Sequence, residues 1–174
     1  MAESGKPISL LMIDIDHFTR VNDTHGQAVG EKVLCLVAGH IAANVGGFDL
    51  ASRYGGGEFV VVLPAAGIDA AGEVAERLGR TIAGQPLAIE DPAASVPVTV
   101  SIGVAAMGEG KDDPQKLLKI AADALCQAKE GGQPGGSVPY LILASLKSTC
   151  LRTTGSYLRN FSFSVAVRGF FLVT

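Results

Sequence analysis

Residues 8–26 of this chain read ISLLMIDIDHFTRVNDTHG. The run from Ile8 to Ile15 is apolar and ends among carboxylates, which predicts a buried strand whose carboxyl end lies at a polar edge. Asp14 and Asp16 are two positions apart, so their side chains would point to the same face of that strand. These features predict a Mg²⁺ and phosphate site where a helix begins after the strand, at His17. A solvated acidic surface is the alternative interpretation.

The remainder of the chain alternates between helical and strand patterns. Helices are predicted over residues 31–43 and 70–83 and from Asp113 onwards, and strands over residues 49–54, 58–63 and 96–105. Gly55-Gly56-Gly57 separates two of these strands and predicts a hairpin tip, which is either an ordinary tight turn or a place of close ligand approach. The order predicts an α+β sheet with helices packed on one side, rather than a doubly wound parallel sheet.

A glycine-rich stretch, GGQPGG at residues 131–136, divides the chain into two predicted parts. We expect one domain over residues 1–136 and an atypical extension over residues 137–174. The extension is rich in Ser, Leu and Phe, and its segment 165–173 has weak strand character. An added edge strand, an interface, and sequence foreign to the domain all remain open for it.

Composition limits the classes of function. The net charge of the 174 residues is −3, and the extension contains four basic and no acidic side chains, so the predicted domain itself is acidic. Such a domain is not expected to bind nucleic acid through its backbone phosphates. No apolar run reaches the roughly 18 residues that a membrane-spanning helix needs. The three cysteines form no C-x-x-C pair, and the start of the chain lacks a secretion signal, so we expect a cytoplasmic protein.

Four ordered motifs resemble those of one known family. Residues 14–26 are similar to the family pattern D-x-D-x-F-K-x-[IV]-N-D-x-x-G, and residues 53–59 to R-Y-G-G-[DE]-E-F. Residues 101–105 resemble its S-I-G-V-A strand, and residues 122–129 its A-D-x-A-L-Y-x-A-K helix. The chain thus resembles the GGDEF domains of bacterial diguanylate cyclases, over residues 8–133.

The resemblance implies a palm-like α+β fold, as in nucleotidyl cyclases, and a role in cyclic di-GMP signal transduction. Active members condense two GTP into cyclic di-GMP with Mg²⁺, one GTP on each subunit of a dimer. The positions carried over for metal binding are Asp14, the carbonyl of Ile15, and Asp16. Nucleotide-binding positions are implied for His17, Phe18, Asn22, Glu31, Leu34, Gly55, Gly56 and Lys129, and catalytic positions for Asp14, Gly57 and Glu58. Within that set, Asn22 and Glu31 would hydrogen-bond the guanine edge, and Lys129 would meet the terminal phosphates.

The signature departs from the family at Gly57, where active members carry Asp or Glu as a metal ligand. We do not expect Glu58 to replace that group, because neighbouring strand residues point to opposite faces. Gln133 stands where the family has a phosphate-binding Arg, and Glu31 where it usually has Asp. We therefore expect a GTP- or cyclic di-GMP-binding domain with a weakened Mg²⁺ site and impaired catalysis, with a homodimer or a regulatory protein as possible partner. The alternatives are a residually active cyclase that uses Asp14, Asp16 and Glu58, and an interaction domain without nucleotide binding.

Overall fold

The computed structural model describes residues 6–90, 93–107, 113–131, 140–146 and 164–167. Helices and strands within these ranges follow the order β1 (Ile8–Ile15), α1 (Phe18–His25), α2 (Gln27–Asn44), β2 (Leu50–Arg53), β3 (Glu58–Pro64), α3 (Ile68–Ala83), β4 (Leu87–Glu90), β5 (Ala93–Val96), β6 (Val100–Met107), α4 (Pro114–Gly131), β7 (Tyr140–Leu146) and β8 (Ser164–Val167).

The main sheet is built around β1. Its strand order is β2-β3-β1-β6-β7-β8, and β1 is antiparallel to both β3 and β6, while β7 is parallel to β6. Every residue of β1 from Leu10 to Ile13 is buried, as its uninterrupted apolar sequence predicts for a central strand. The predicted α+β class is confirmed.

Helices cover both faces of this sheet, so the prediction of helices on one side only was wrong. Leu11, Ile13 and Ile15 pack into a core with α2 and α3, whereas the alternating Leu10 and Met12 pack into a second core with α4. The alternation follows from the period of two along a strand. An all-apolar β1 has two faces to bury, and a single helical layer would leave one of them in water.

Several predicted boundaries moved. α2 begins at Gln27, four residues before the predicted start, because Gly26 turns the chain with a φ of 84° and α2 follows at once. The predicted strand over residues 96–105 is divided: Val96 ends the β4–β5 hairpin, which was not predicted, and β6 begins only at Val100. Pro97, which lacks a backbone donor, lies between them.

The predicted extension contributes to the main sheet through β7 and β8, in the parts of it that the structure describes. β7 was not predicted, and β8 overlaps the segment 165–173 that had weak strand character. The predicted glycine-rich divider, from residue 132 on, and Gln133 lie outside the described residues. The division into residues 1–136 and 137–174 stays a prediction.

Candidate nucleotide site

The candidate site lies where β1 ends between β3 and β6. Asp14 is the direct cross-strand partner of Glu58 on β3 and of Ser101 on β6. Paired residues of an antiparallel ladder project from the same face of the sheet, so the carboxylates of Asp14 and Glu58 share one face. The register of β3 places Glu58 opposite Asp14.

Helix α4 brings a cation to this face. Lys129 Nζ lies 2.9 Å from Asp14 Oδ2, and 44% of the Lys129 side chain and 16% of the Asp14 side chain are exposed. The helix can reach the sheet because β6 carries Gly103, where a Cβ would overlap the carbonyl oxygen of Ala121 and the amide nitrogen of Leu125. The close approach of α4 at Gly103 therefore places Lys129 beside Asp14.

The electrostatics of Asp14 reflect its position below the surface. Burial raises the pKa of Asp14 above its ordinary value, because it penalises the charged form. The Lys129 ammonium opposes that rise through its hydrogen bond and charge, and the nearby carboxylates of Glu58 and Asp16 add to it. An additional cation at this position would relieve the repulsion among the three acids.

The turn between β1 and α1 lies at the site, where His17 and Phe18 line the cleft. His17 precedes α1 with a φ of 56° and ψ of 28°, a left-handed conformation that is uncommon for a residue with a side chain. No side chain caps this end of α1. The first N–H groups of the helix therefore remain available to an anion such as phosphate. The role predicted for the amides of His17 and Phe18 toward phosphate stays a prediction.

Asp16 makes contacts that the sequence did not predict. Its two carboxylate oxygens accept hydrogen bonds of 2.7 Å each from the hydroxyls of Thr99 and Ser101. Its backbone N–H donates to the carbonyl of Thr99 at 3.0 Å. That Asp16 binds metal stays a prediction. In the structure its carboxylate is held by Ser101 on β6 and by Thr99, the residue just before β6.

The hairpin between β2 and β3 forms the opposite wall of the site. The guanidinium of Arg53 donates to the carbonyls of Gly55 and Gly56, with the shortest contact at 2.7 Å, and so fixes the tip. A Cβ on Gly55 would lie 2.6 Å from Glu58 Oε2, so glycine at this position leaves room for that carboxylate.

Gly57 packs against the start of α1. A Cβ on Gly57 would lie 3.2 Å from two ring carbons of Phe18 and 3.3 Å from its Cβ, which is tight but not overlapping. The carbonyl of Gly57 accepts a hydrogen bond of 3.1 Å from the N–H of Ile15. The altered signature residue thus still takes part in the sheet through its backbone.

An open cleft of about 620 Å³ joins these parts. It is lined by Asp14, Ile15, His17, Phe18, Thr19, Arg20, Asp23, Gly56, Gly57, Glu58 and Lys129. Eight of these were predicted as site residues from the sequence. Thr19, Arg20 and Asp23 were missed, although their spacing of three and four residues on α1 would have placed them on one helix face.

The predicted guanine-binding residues lie beside this cleft rather than in its lining. Asn22 on α1 is packed against Gly30 on α2 so closely that a Cβ on Gly30 would overlap Asn22 Oδ1. Leu34 packs partly buried against the core, and Glu31 is exposed. The three residues thus belong to the α1–α2 pair, and their roles toward a base stay predictions.

The donor set of the cleft suits a hard cation in part. Asp14 and Glu58 supply carboxylate oxygens on one face, and Ile15, the predicted carbonyl ligand, also lines the cleft. Oxygen donors of this kind are those that Mg²⁺ prefers. Among the described residues, no group of three or more His, Cys, Asp or Glu side chains is placed to hold a metal ion. Nor does any helix in the described ranges have the length and apolar character to cross a membrane.

Comparison with known proteins gives a consistent result. A family model for the diguanylate cyclase GGDEF domain matches residues 1–134. The response regulator PleD of Caulobacter vibrioides is 42% identical over 129 residues, which are 74% of this chain and 28% of PleD. This chain therefore spans less than a third of that relative's length.

Solved structures share the fold. The GGDEF domain of DgcB from Caulobacter crescentus, solved in complex with c-di-GMP, superposes with a TM-score of 0.70 at 28% identity, over 78% of this chain and 77% of that one. The active GGEEF domain of a diguanylate cyclase from Vibrio cholerae gives a TM-score of 0.69 at 27% identity, over 78% and 83%. Since the family model covers most of the chain and all four motifs lie inside the match, this chain belongs to the diguanylate cyclase GGDEF domain family.

Proposed function

We propose that this GGDEF domain binds guanine nucleotides, GTP or cyclic di-GMP, in bacterial signal transduction, and that its cyclase activity is weak or absent. The observation that carries the proposal is the combination of an uncapped start of α1, after the left-handed His17, with a glycine at position 57. The DgcB domain, which shares the fold, was solved with c-di-GMP.

The residues of the cleft divide the work of binding. The free N–H groups at the start of α1 would receive the phosphates, and Lys129, with nearly half of its side chain exposed, can turn from Asp14 toward their terminal oxygens. Asn22 and Glu31 would read the mixed donor and acceptor edge of guanine, with Leu34 beside the base. A base with the wrong edge would leave these polar groups unpaired, which is the source of selectivity.

Support for impaired catalysis comes from the small set of metal ligands that is left when position 57 is a glycine. Asp14, Glu58 and the Ile15 carbonyl would hold Mg²⁺, and such an ion neutralises phosphate charge and helps to activate a hydroxyl nucleophile. Gly57 offers no side-chain ligand to it. Because phosphoryl and nucleotidyl transfer depend mainly on positioning and on charge, one missing carboxylate weakens the site where the chemistry is most sensitive.

The position of Glu58 favours a second candidate, a cyclase with residual activity. Glu58 lies directly across from Asp14 and lines the same cleft. Two carboxylates would then hold the ion without the third. An assay of cyclic di-GMP formation from GTP and Mg²⁺ separates the two candidates, since turnover well above background that disappears in Asp14→Ala would defeat the first candidate.

A third candidate, a protein-interaction domain without nucleotide binding, is separated by calorimetry with GTP and with cyclic di-GMP. Absence of heat with both ligands would leave only that candidate. Homodimer formation, a regulatory protein partner, and a separate role for residues 137–174 are parts of the proposal that rest on the resemblance and on the sequence. A domain that uses GTP would work in the cytoplasm, where this nucleotide is made.

A further inference from the structure

We infer that Asp16 is a positioning residue, which holds the phosphate-facing turn through the hydroxyls of Thr99 and Ser101. The inference deepens the proposed function and rests on it, because it concerns how the same cleft receives phosphate. Its structural part, the holding of the turn, can be tested without any nucleotide.

The contacts of Asp16 form a short network between the end of β1 and β6. The carboxylate accepts from Thr99 Oγ1 and Ser101 Oγ at 2.7 Å each, and the Asp16 N–H donates to the Thr99 carbonyl at 3.0 Å. Ser101 is buried, with 3% of its surface exposed. Hydrogen bonds to an ionised carboxylate are stronger than those between neutral groups, and a buried hydroxyl that loses its acceptor is left unsatisfied. Three contacts therefore fix both the backbone and the side chain of Asp16.

The residue that follows needs such support. His17 adopts a φ of 56°, and residues in this region persist only where the surrounding structure enforces them. On one side the turn is tied to the hairpin tip by the hydrogen bond from Ile15 N–H to Gly57 O. Asp16 ties it on the other side to β6. The direction of the N–H groups at His17 and Phe18 depends on this conformation, and so does the cradle for phosphate.

The position of the carboxylate separates this role from that of a metal ligand. Both oxygens of Asp16 already accept a hydroxyl, and Asp16 is absent from the residues that line the cleft, whereas Asp14, Ile15 and His17 are all among them. A metal ligand would contribute only when the ion is present. A positioning residue contributes to phosphate binding with or without the ion.

The test uses variants that leave Asp16 in place and remove its hydroxyl donors. The double variant, Thr99→Val with Ser101→Ala, removes both donors. The single variant Thr99→Ser leaves Ser101 unchanged and keeps both hydroxyls, so it is the conservative substitution. Ser9→Ala is the matched control, because Ser9 is also a buried serine and lies at the end of β1 that is remote from the site. Its hydroxyl donates to Ala66 O at 2.8 Å.

Two readouts are measured for each variant. The first is the NMR order parameter of the His17 and Phe18 amides without ligand, which is about 0.85 for rigid backbone and below about 0.6 for flexible backbone. The second is the affinity for GTP and for guanosine by calorimetry, in EDTA and in Mg²⁺. Urea unfolding of each variant shows how much stability is lost, so that a general loss is not mistaken for a local one.

We expect the double variant to lower both order parameters into the flexible range. Its affinity for GTP should fall at least about tenfold, in EDTA as well as in Mg²⁺. Its affinity for guanosine should change by less than about twofold. Ser9→Ala should lose stability but keep the order parameters and the GTP affinity, and Thr99→Ser should behave as the parent protein. Unchanged order parameters in the double variant would overturn the inference, as would flexible amides with unchanged GTP affinity. A loss of GTP affinity that occurs in Mg²⁺ but not in EDTA would instead indicate that Asp16 acts through the metal ion.

Failure of the proposed function gives a different pattern. If the parent protein binds neither GTP nor guanosine, the nucleotide assignment fails and the phosphate role of Asp16 fails with it. The order parameters then still decide whether Asp16 holds the turn.

Discussion

The two walls of the cleft differ in how closely they match the family motifs. The turn from β1 to α1 carries the motif residue Asp14, the left-handed His17 and an uncapped helix start, whereas the β2–β3 hairpin carries Gly57 where the motif has a carboxylate. Both walls are nevertheless joined by the hydrogen bond between Ile15 and Gly57. Because Gly57 contributes to the sheet through its backbone alone, the hairpin keeps its shape without a side chain at this position. Under the proposed function, nucleotide binding would therefore be separable from catalysis in this domain.

Restoring the missing carboxylate should give the largest effect. We expect Gly57→Glu to raise cyclic di-GMP formation from GTP and Mg²⁺ by about 10²-fold or more, the scale on which a single electrostatic stabiliser of a transition state acts. The new Cβ would stand 3.2 Å from the Phe18 ring, so the ring must shift by a few tenths of an ångström. Steady-state assays of the product measure the gain.

Gly56→Glu is the matched control for that experiment, because a Cβ on Gly56 would meet no atom within 4 Å. It adds the same charge one residue away and should leave the rate near background. If neither variant gains activity, the hairpin is not the wall that limits catalysis.

The base-reading side can be disturbed without touching a predicted contact residue of the ligand. Gly30→Ala would place a methyl group where Asn22 Oδ1 lies, so Asn22 must move. We expect the preference for GTP over ATP to fall by at least about tenfold, since a site loses selectivity when its polar groups no longer match the base. Competition binding with the two nucleotides measures this ratio.

Gly39→Ala on the same helix is its control, since a Cβ there has no neighbour within 4 Å. This change should stabilise α2 by about 0.5–1 kcal/mol and leave the preference unchanged. A preserved preference in Gly30→Ala would remove Asn22 from the base pocket.

Lys129 should matter for phosphates more than for the base. We expect Lys129→Met to lower the affinity for GTP about tenfold and to leave the affinity for guanosine nearly unchanged, because only GTP offers terminal phosphate oxygens to the ammonium group. Lys119→Met is the control on the same helix, where Lys119 pairs with exposed Asp123 at 2.9 Å. Equal losses for GTP and guanosine would argue that Lys129 acts only by holding α4 near Asp14.

The sequence predicts most of the turn between β1 and α1, but not the hydrogen bonds to Asp16 that hold it. Strand β1, helix α1 and the glycine hairpin are local patterns, and the matches to family motifs carry Asp14, Gly57 and Lys129 onto one site. The hydrogen bonds from Thr99 and Ser101 to Asp16 join residues that are separated by 83 and 85 positions in the chain. A single sequence does not report the strand register that brings them together. Likewise, the side of the sheet taken by α4 depends on Gly103, whose importance lies in the absence of a Cβ.

The β4–β5 hairpin was missed for a different reason. Its strands have four residues each, and only three of these eight residues, Leu87, Ile89 and Val96, have large apolar side chains. Such short pairings are set by the surrounding structure more than by intrinsic preference. The Asp-Pro pair at residues 91–92 is a turn signal that would have indicated the hairpin.

The smallest expected effect concerns the contribution of Asp14, at the end of β1, to stability. Because burial raises the pKa of Asp14, the folded state holds its proton more tightly than the unfolded state, and stability falls as pH rises from the ordinary value through the raised one. We expect Asp14→Asn to be more stable than the parent near neutral pH, by the order of 1 kcal/mol that such changes commonly give. The difference should shrink as the pH falls below the ordinary aspartate value. Urea unfolding across pH measures it, and a parent protein more stable than the variant at neutral pH would reverse the sign.

The separation of binding from catalysis is tested most directly by adding GTP and Mg²⁺ to the unaltered protein while its melting temperature and the cyclic product are measured on the same sample. A ligand at about 100 times its Kd stabilises the folded state by about 2.7 kcal/mol, enough for a clear shift. We predict a higher melting temperature with GTP and with cyclic di-GMP, and product formation at or near background. No shift with either ligand at millimolar concentration, or product formation well above background that depends on Asp14, would contradict the account.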